Sequence, residues 1–213
     1  MGYILVFGFP NRNSHRIFVN DLHWKDINEI PTFQLGLSEN NKLNNNCINS
    51  SHDLDELVIM DNNFELNYNI TSSLEIPIQV KKNKTYLIWR YSRHPLNKYY
   101  NFAISNKGAA SSFCVVKKYL NNLDIIDFQA SNKDECEILI NYIIRFAFLK
   151  KLDNINCWAP RHHFLHQLCE KYGFINREPI TYFCCRHLAN EKHEQFYDLY
   201  CNWYVQMGDS DVY

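Results

Sequence analysis

Residues 132–151 carry the pattern that most restricts what this chain can fold into. Asn132 followed three residues later by Glu135 has the spacing of a capping box, and Cys136, Leu139, Ile140, Ile143 and Ala147 then recur at helical spacing. The pattern predicts a helix from about 134 to 151 with one apolar face, and such a face must be covered by a second apolar layer. The flanking sequence supplies that layer. Upstream, SSFCVVKKYL and LDIIDFQA are apolar runs of strand length, joined through a Lys107-Gly108 turn to the aromatic-rich TYLIWRYSRHPLNKYYNFAI. They predict two or three antiparallel strands. Downstream, INCWAP reads as a short strand, and RHHFLHQLCEKYG as a helix with Leu165, Leu168 and Tyr172 inward and Gly173 as its stop. Residues 180–188 and 201–207 read as two closing strands. From Tyr86 the predicted order is helix, three strands, helix, strand, helix, two strands: an α/β chain of the α+β kind, with helices packed on a mixed sheet.

The N-terminal part repeats half of this order. YILVFGF, residues 3–9, reads as a buried strand closed by Pro10-Asn11. A helix capped by Ser14 follows, with Ile17, Phe18 and Leu22 on one face, and residues 27–37 read as a strand. YILVFGFPNRNSHRIFVNDLHW and INCWAPRHHFLHQLCEKYGF share the succession strand, proline turn, amphipathic helix, aromatic residue, which suggests an internal repeat. Between the halves, residues 38–55 are polar, Asn-rich and without period, the composition of a loop or linker. The predicted division is residues 1–40, then 41–83 as an Asn-rich linker and irregular segment, then 84–213 as a complete unit.

Charge and composition narrow the function. Lys and Arg total 22 against 23 Asp and Glu, a formal net charge of −1, so no basic surplus exists to follow a phosphate backbone and no nucleic-acid partner is expected. No apolar run approaches the ~20 residues that cross a bilayer. The opening MGYILVFGFP lacks the basic region and small-residue cleavage site of a signal peptide, and Val6 stands where a myristoylation signal carries Ser or Thr. A cytoplasmic protein is expected, which makes the glycosylation sequons at Asn49, Asn69 and Asn83 incidental. The eight cysteines lie mostly inside apolar runs without CxxC spacing and read as reduced core thiols.

The element order, together with VFGFPN at Val6–Asn11, WRYSRHP at Trp89–Pro95 and the ending WYVQMGDSDVY, resembles tandem proteins of the GNAT acyltransferase superfamily, often associated with surface-polysaccharide biosynthesis. The resemblance implies a GNAT-like fold in which residues 1–40 are the closing half of a first repeat and residues 84–213 a complete second one. It implies acyl transfer from acetyl-CoA or another acyl-CoA to an amine such as an amino-sugar, by direct attack of the amine on the thioester with backbone donors at the oxyanion. In that superfamily the CoA pyrophosphate lies on backbone N–H groups of an R/Q-x-x-G-x-G/A turn that opens the central helix. The corresponding residues are QASNKDE, Gln129 to Glu135, which places Gln129, Ser131, Asn132 and Lys133 at the cofactor. The turn holds no glycine, and Asp134 and Glu135 bring negative charge to the helix start. Many members also use a tyrosine in a Y-E-K-x-G-F pattern to protonate the departing thiolate; here the stretch is CEKYGF, so the resemblance puts Cys169 at the acid's position. The missing glycines and tyrosine fit an alternative reading, a non-catalytic GNAT-like module for binding or dimerisation. Half a repeat leaves a sheet edge and an apolar face to cover, so a second copy of the chain, or the missing N-terminal half, is an expected partner.

Two further groups are candidates for substrate binding. Trp89, Arg90, Tyr91 and His94 join aromatic faces to cations, a set suited to a sugar ring or an anionic group, or else to closing the edge of the sheet. His162, His166 and Cys169, at i, i+4 and i+7, fall along one helical face. Imidazole and thiolate suit zinc, but a second element must add ligands, and only Cys184, Cys185 and His187 are at hand, at no recognised spacing. No metal is expected, and His162 and His166 are read as facing an acceptor cleft.

Overall fold

The computed structural model describes residues 5–37, 57–68, 76–188 and 194–210. The Asn-rich stretch predicted as a loop over 38–55, with Cys47 and Asn49, lies outside these residues. The strands are β1 (Leu5–Gly8), β2 (Lys25–Gly36), β3 (Val58–Met60), β4 (Asn67–Tyr68), β5 (Ile78–Gln79), β6 (Tyr99–Asn106), β7 (Ala109–Tyr119), β8 (Asn122–Gln129), β9 (Asn154–Cys157), β10 (Ile175–His187) and β11 (Trp203–Tyr204). The helices are α1 (Arg12–Arg16), α2 (Lys84–Leu87), α3 (Lys133–Leu149), α4 (Phe164–Lys171) and α5 (Glu194–Asp198); α1 and α2 each run on into a π-helical turn.

The strands form one mixed sheet in the order β1-β10-β2-β9-β8-β7-β6-β3, with β4 paired to β7. The meander β6-β7-β8 is antiparallel, and Lys107 and Gly108 both take left-handed φ, 51° and 81°, which a two-residue hairpin needs. α3 forms where the periodicity puts it. Asn132 Oδ1 accepts from the Glu135 N–H at 2.9 Å, but the Glu135 carboxylate accepts from Ser112 Oγ on β7 instead of closing the capping box. Cys136, Leu139, Ile140, Ile143, Ile144 and Ala147 of α3 are buried, and the face they make packs on Phe102, Cys114, Val116, Leu123 and Phe128 of the sheet. Each buried Leu or Ile contributes about 1.5–3 kcal/mol, so this face fixes the helix on the sheet. The opposite sheet face buries a second, aromatic-rich core with Tyr91, Phe113, Trp158, Phe183 and Trp203.

Two expectations are corrected. The cap of α1 is Asn11, whose Oδ1 accepts from the N–H groups of Asn13 and Ser14 at 2.9 and 3.0 Å; Ser14 is the reciprocal partner, its Oγ accepting from the Asn11 N–H at 3.1 Å. The predicted closing strand over 201–207 shrinks to β11, which pairs with β5 in a separate two-stranded sheet. The reason is occupancy. β2 pairs with β9 on one side (Phe33↔Cys157) and with β10 on the other (Ile30↔Thr181), so the place beside β9 is taken by a strand from the N-terminal segment.

Candidate functional site

β8 and β9 are parallel neighbours and pair only from Asn122↔Asn154 to Asp124↔Asn156, after which β8 runs on alone to Gln129. On its other side, the β7 register skips Ile126, a bulge that turns both Ile126 and Asp127 toward the aromatic core. The gap between the strand ends leaves main-chain groups that must find partners. The chain fills it with its own C-terminal segment. Phe128 N–H donates to Gln206 Oε1, and Tyr204 Oη donates to Phe128 O at 2.8 Å. The His163 ring stacks on Tyr204 at 4.1 Å, and His162 Nε2 lies 2.9 Å from Trp203 O. Burial and the neighbouring His162 push the His163 imidazole down to about 4, so it is neutral at pH 7 and its Nδ1 caps α4 by accepting from the Leu165 N–H.

Beneath this segment lies a buried charge network that the sequence reading missed. Lys82 donates to Asp127 and lies 2.8 Å from Asp209 Oδ1, and Tyr91 Oη donates to the other oxygen of Asp127. Lys82, Asp127 and Asp209 all have buried side chains. One lysine faces two carboxylates, so the site carries surplus negative charge. Burial, with the Asp209 charge added to it, pushes the Asp127 carboxyl from 3.8 up to about 6 against the pull of Lys82. A carboxyl raised on folding adds stability below its unfolded value and loses it as pH rises through the folded one. Stability is therefore expected to fall between about pH 4 and pH 6 through this group, and Asp127→Asn, which cannot titrate, is expected to flatten that part of a urea-denaturation series against pH.

The predicted site residues separate. Cys169 is fully buried beside Cys157 in the α3 core, and burial pushes its thiol well above the ordinary range, so it has no exposed face to offer a ligand. The start of α3 is capped from within: Ser131 N–H donates to Ser112 Oγ at 2.8 Å, Glu135 N–H to Asn132, and Lys133 Nζ sits 4.7 Å from the centroid of the Phe164 ring. Gln129 is buried, and beside Tyr68 and Lys82 it lines a cavity of about 130 Å³. Trp89 is 66% exposed, Tyr91 is buried on Asp127, Arg90 donates to Ser210 O, and His94 Nδ1 accepts from the Asn97 N–H at 2.9 Å. His162 precedes α4 instead of sharing its face; His166 Nδ1 lies 2.8 Å from Ala159 O and its ring stacks on Phe33. The reading of the cysteines as core thiols holds for Cys114, Cys136, Cys157, Cys169, Cys184 and Cys185, which are free and buried, while Cys201 is free and exposed.

The larger opening lies on the aromatic face, next to the filled gap. It has a volume of about 710 Å³ and is walled by Phe7, Phe9, Phe18 and Trp24 from the N-terminal segment and by Trp158 and Ile180 from the rest, with Asp209 and Ser210 also at its lining. Compared by sequence, the chain matches no protein-family profile and no curated protein. Compared by structure, it superposes on a GCN5-related N-acetyltransferase from Kribbella flavida with a TM-score of 0.54 at 9% identity, covering 88% of this chain and 44% of that one. A GCN5-related N-acetyltransferase from Anabaena variabilis matches with a TM-score of 0.51 at 9% identity (87% and 46%), and a conserved protein of unknown function from Enterococcus faecalis with 0.53 at 9% (86% and 45%). The chain has the GNAT fold. It spans less than half the length of these three structures. Among the described residues of this GNAT-fold chain, no helix is long and apolar enough to cross a membrane.

Proposed function

We propose that this chain is an acyltransferase-like protein whose aromatic cleft takes the acceptor, an amine carried on a ring such as an amino-sugar. The observation that carries the reading is the cleft itself. Aromatic faces pack on the C–H faces of a sugar, and four aromatic side chains from the N-terminal segment and Trp158 wall the cleft. Phe7, Phe9, Phe18 and Trp24 come from residues 1–40, which we read as the closing half of a first repeat, and Trp158 and Ile180 come from residues 84–213, read as the second. Residues 41–83 connect the two. Acyl-CoA is then bound by the first repeat. At α3 of the second, the helix start is already capped by Ser112 and Asn132 and faces the acids Asp134 and Glu135. Transfer proceeds by attack of the free amine on the thioester, and an amino-sugar acceptor suits a cytoplasmic step of surface-polysaccharide assembly. Pairing with the rest of the first repeat, or with a second copy, would cover the β1 and β3 edges of the sheet.

One observation favours a second reading, a non-catalytic GNAT-like module: Trp203–Ser210 occupies the gap between β8 and β9. Calorimetric titrations separate the two. Glucosamine is expected to bind the chain and to bind Trp24→Ala at least about tenfold more weakly, equivalent to 1.4 kcal/mol, whereas acetyl-CoA is expected not to bind even at millimolar concentration. Absence of glucosamine binding removes the acceptor reading and leaves the module. Micromolar acetyl-CoA binding returns the cofactor to α3.

A further inference from the structure

β10 carries two adjacent cysteines on opposite faces of the sheet, and each meets an imidazole and a carboxylate. Cys184 gathers with His15 and Asp26, and Cys185 with His187 and Asp198; in each group one donor atom per residue lies within 4.8 Å of the others. The second group is the better enclosed. Cys185 is fully buried and the His187 and Asp198 side chains are 17% and 14% exposed, against 44% for Asp26. His187 Nε2 is 2.9 Å from Asp198 Oδ1, and Cys185 Sγ is 4.0 Å from the same oxygen.

We propose that Cys185, His187 and Asp198 bind a divalent cation of borderline softness, zinc in the first instance, with water in the fourth position. Cys185 and His187 stand two apart on a strand, which places both side chains on one face, and Asp198 reaches them from the end of α5. Thiolate, imidazole and carboxylate form a ligand set typical of zinc, and a tetrahedral ion about 2.0–2.3 Å from each donor separates the donors by roughly 3.3–3.8 Å. The observed 2.9 and 4.0 Å bracket that span and the third pair of donors lies within 4.8 Å, so side-chain adjustments of about an ångström complete the site. Lys25, which lies opposite Cys185 in the β2-β10 register, donates to the other Asp198 oxygen and holds the carboxylate's orientation. Thiolate and carboxylate together neutralise the ion, so the lysine is tolerated there.

Binding is a proton exchange. The Cys185 S–H bond breaks, a sulfur–zinc bond forms, and the proton leaves to solvent. Without metal the proton is firmly held, because burial and then the Asp198 charge push the thiol up to about 11. The ion ties α5 to β10 at the root of the segment that fills the β8-β9 gap. Trp203 Nε1 donates to Tyr197 O at 2.8 Å, one residue before Asp198, and the Trp203 ring packs on Phe183 of β10.

The test titrates the full, metal-free chain with cobalt(II) alone and then displaces it with zinc. One cobalt per chain is expected, with near-ultraviolet thiolate-to-cobalt absorption and the strong visible bands of a tetrahedral ion, both abolished by zinc. Cys185→Ser is expected to lose the thiolate band and Asp198→Asn to bind at least tenfold more weakly, while Cys184→Ser keeps both. Asp198→Asn is nearly isosteric, sits at the end of a short surface helix, and decides the matter if the cysteine variant does not fold. Absence of a thiolate band in the wild-type chain overturns the proposal. So does full affinity in Asp198→Asn, and so does a band that survives Cys185→Ser but vanishes in Cys184→Ser, which would put the ion on the other face.

Discussion

Lys82→Met is expected to lower the free energy of unfolding by about 3–5 kcal/mol, the usual consequence of removing one partner from a buried ion pair. The substitution keeps the length of the side chain and removes only the charge, in a place where Asp127 and Asp209 are both buried. Two carboxylates then face each other without a counter-ion. Tyr91 still donates to Asp127, but one hydrogen bond from a neutral hydroxyl cannot offset the Coulomb term that the ammonium supplied. The remaining escape is protonation, so the variant should recover stability as pH falls and the Asp127 carboxyl, raised further than in the wild type, takes up a proton. Urea denaturation at pH 7 and pH 5 measures both effects. The double variant Lys82→Met with Asp127→Asn should be less damaged than the sum of its parts, because the second change removes the charge that the first orphaned. A loss below about 1 kcal/mol would mean that water reaches the site and that the network is not what fixes the C-terminal segment.

How much of this was legible beforehand depends on the range of the interaction. α3 was legible because a helix announces itself within its own residues: the cap at Asn132 and the recurrence from Cys136 to Ala147 lie inside one window. The meander β6-β7-β8 was legible for the same reason, with Lys107-Gly108 as its turn. The position of β2 was not. Residues 27–37 read correctly as a strand, but nothing local says that its neighbours are β9 and β10, more than 110 residues away. That error propagated, since residues 201–207 were read as the strand that β2 displaces.

The site followed the same rule. QASNKDE showed in the sequence that the start of α3 lacks glycine. Its internal capping needed Ser112, a residue on β7, and so appeared only in the fold. Cys169 was placed by its match to a motif, while its own periodicity with Leu165 and Leu168 already put it on the buried face. Lys82 stood in a segment read as irregular, and Asp127 was a lone acid inside the apolar run LDIIDFQA. A charge in a run otherwise fit for burial is a signal, but its partner is 45 residues away, and only the fold brings the two together. Asp198 was missed as a partner of Cys185 and His187 because it lies on a different element, 11 residues beyond the histidine.

Gly208→Ala is expected to cost about 1–3 kcal/mol, the usual cost of overpacking a filled interior. Gly208 sits in the 3₁₀ turn Met207–Asp209, and a Cβ built there would stand 2.8 Å from Asp127 Cγ and closer still to Tyr91 Oη and an Asp127 oxygen. Neither neighbour can yield. Both are buried and hydrogen-bonded to each other, and Asp127 is tied to Lys82, so the strain must be relieved by lifting the turn. Lifting it draws Gln206 away from Phe128 N–H, and the expected signature is faster hydrogen exchange at the Phe128 amide together with a lower unfolding midpoint. Unchanged exchange at Phe128 would show that the turn absorbs the methyl group locally. The variant also separates two reasons why acetyl-CoA should not bind. If the C-terminal segment alone excludes it, loosening that segment should restore binding. If the start of α3 is the obstacle, with the N–H groups of Ser131 and Glu135 already taken by Ser112 and Asn132 and with acids in its first turn, binding should stay absent while the gap opens. The second outcome is the expected one, because lifting the turn at Gly208 frees the backbone of Phe128 but supplies no glycine at residues 129–135 and leaves Asp134 and Glu135 in the first turn of α3.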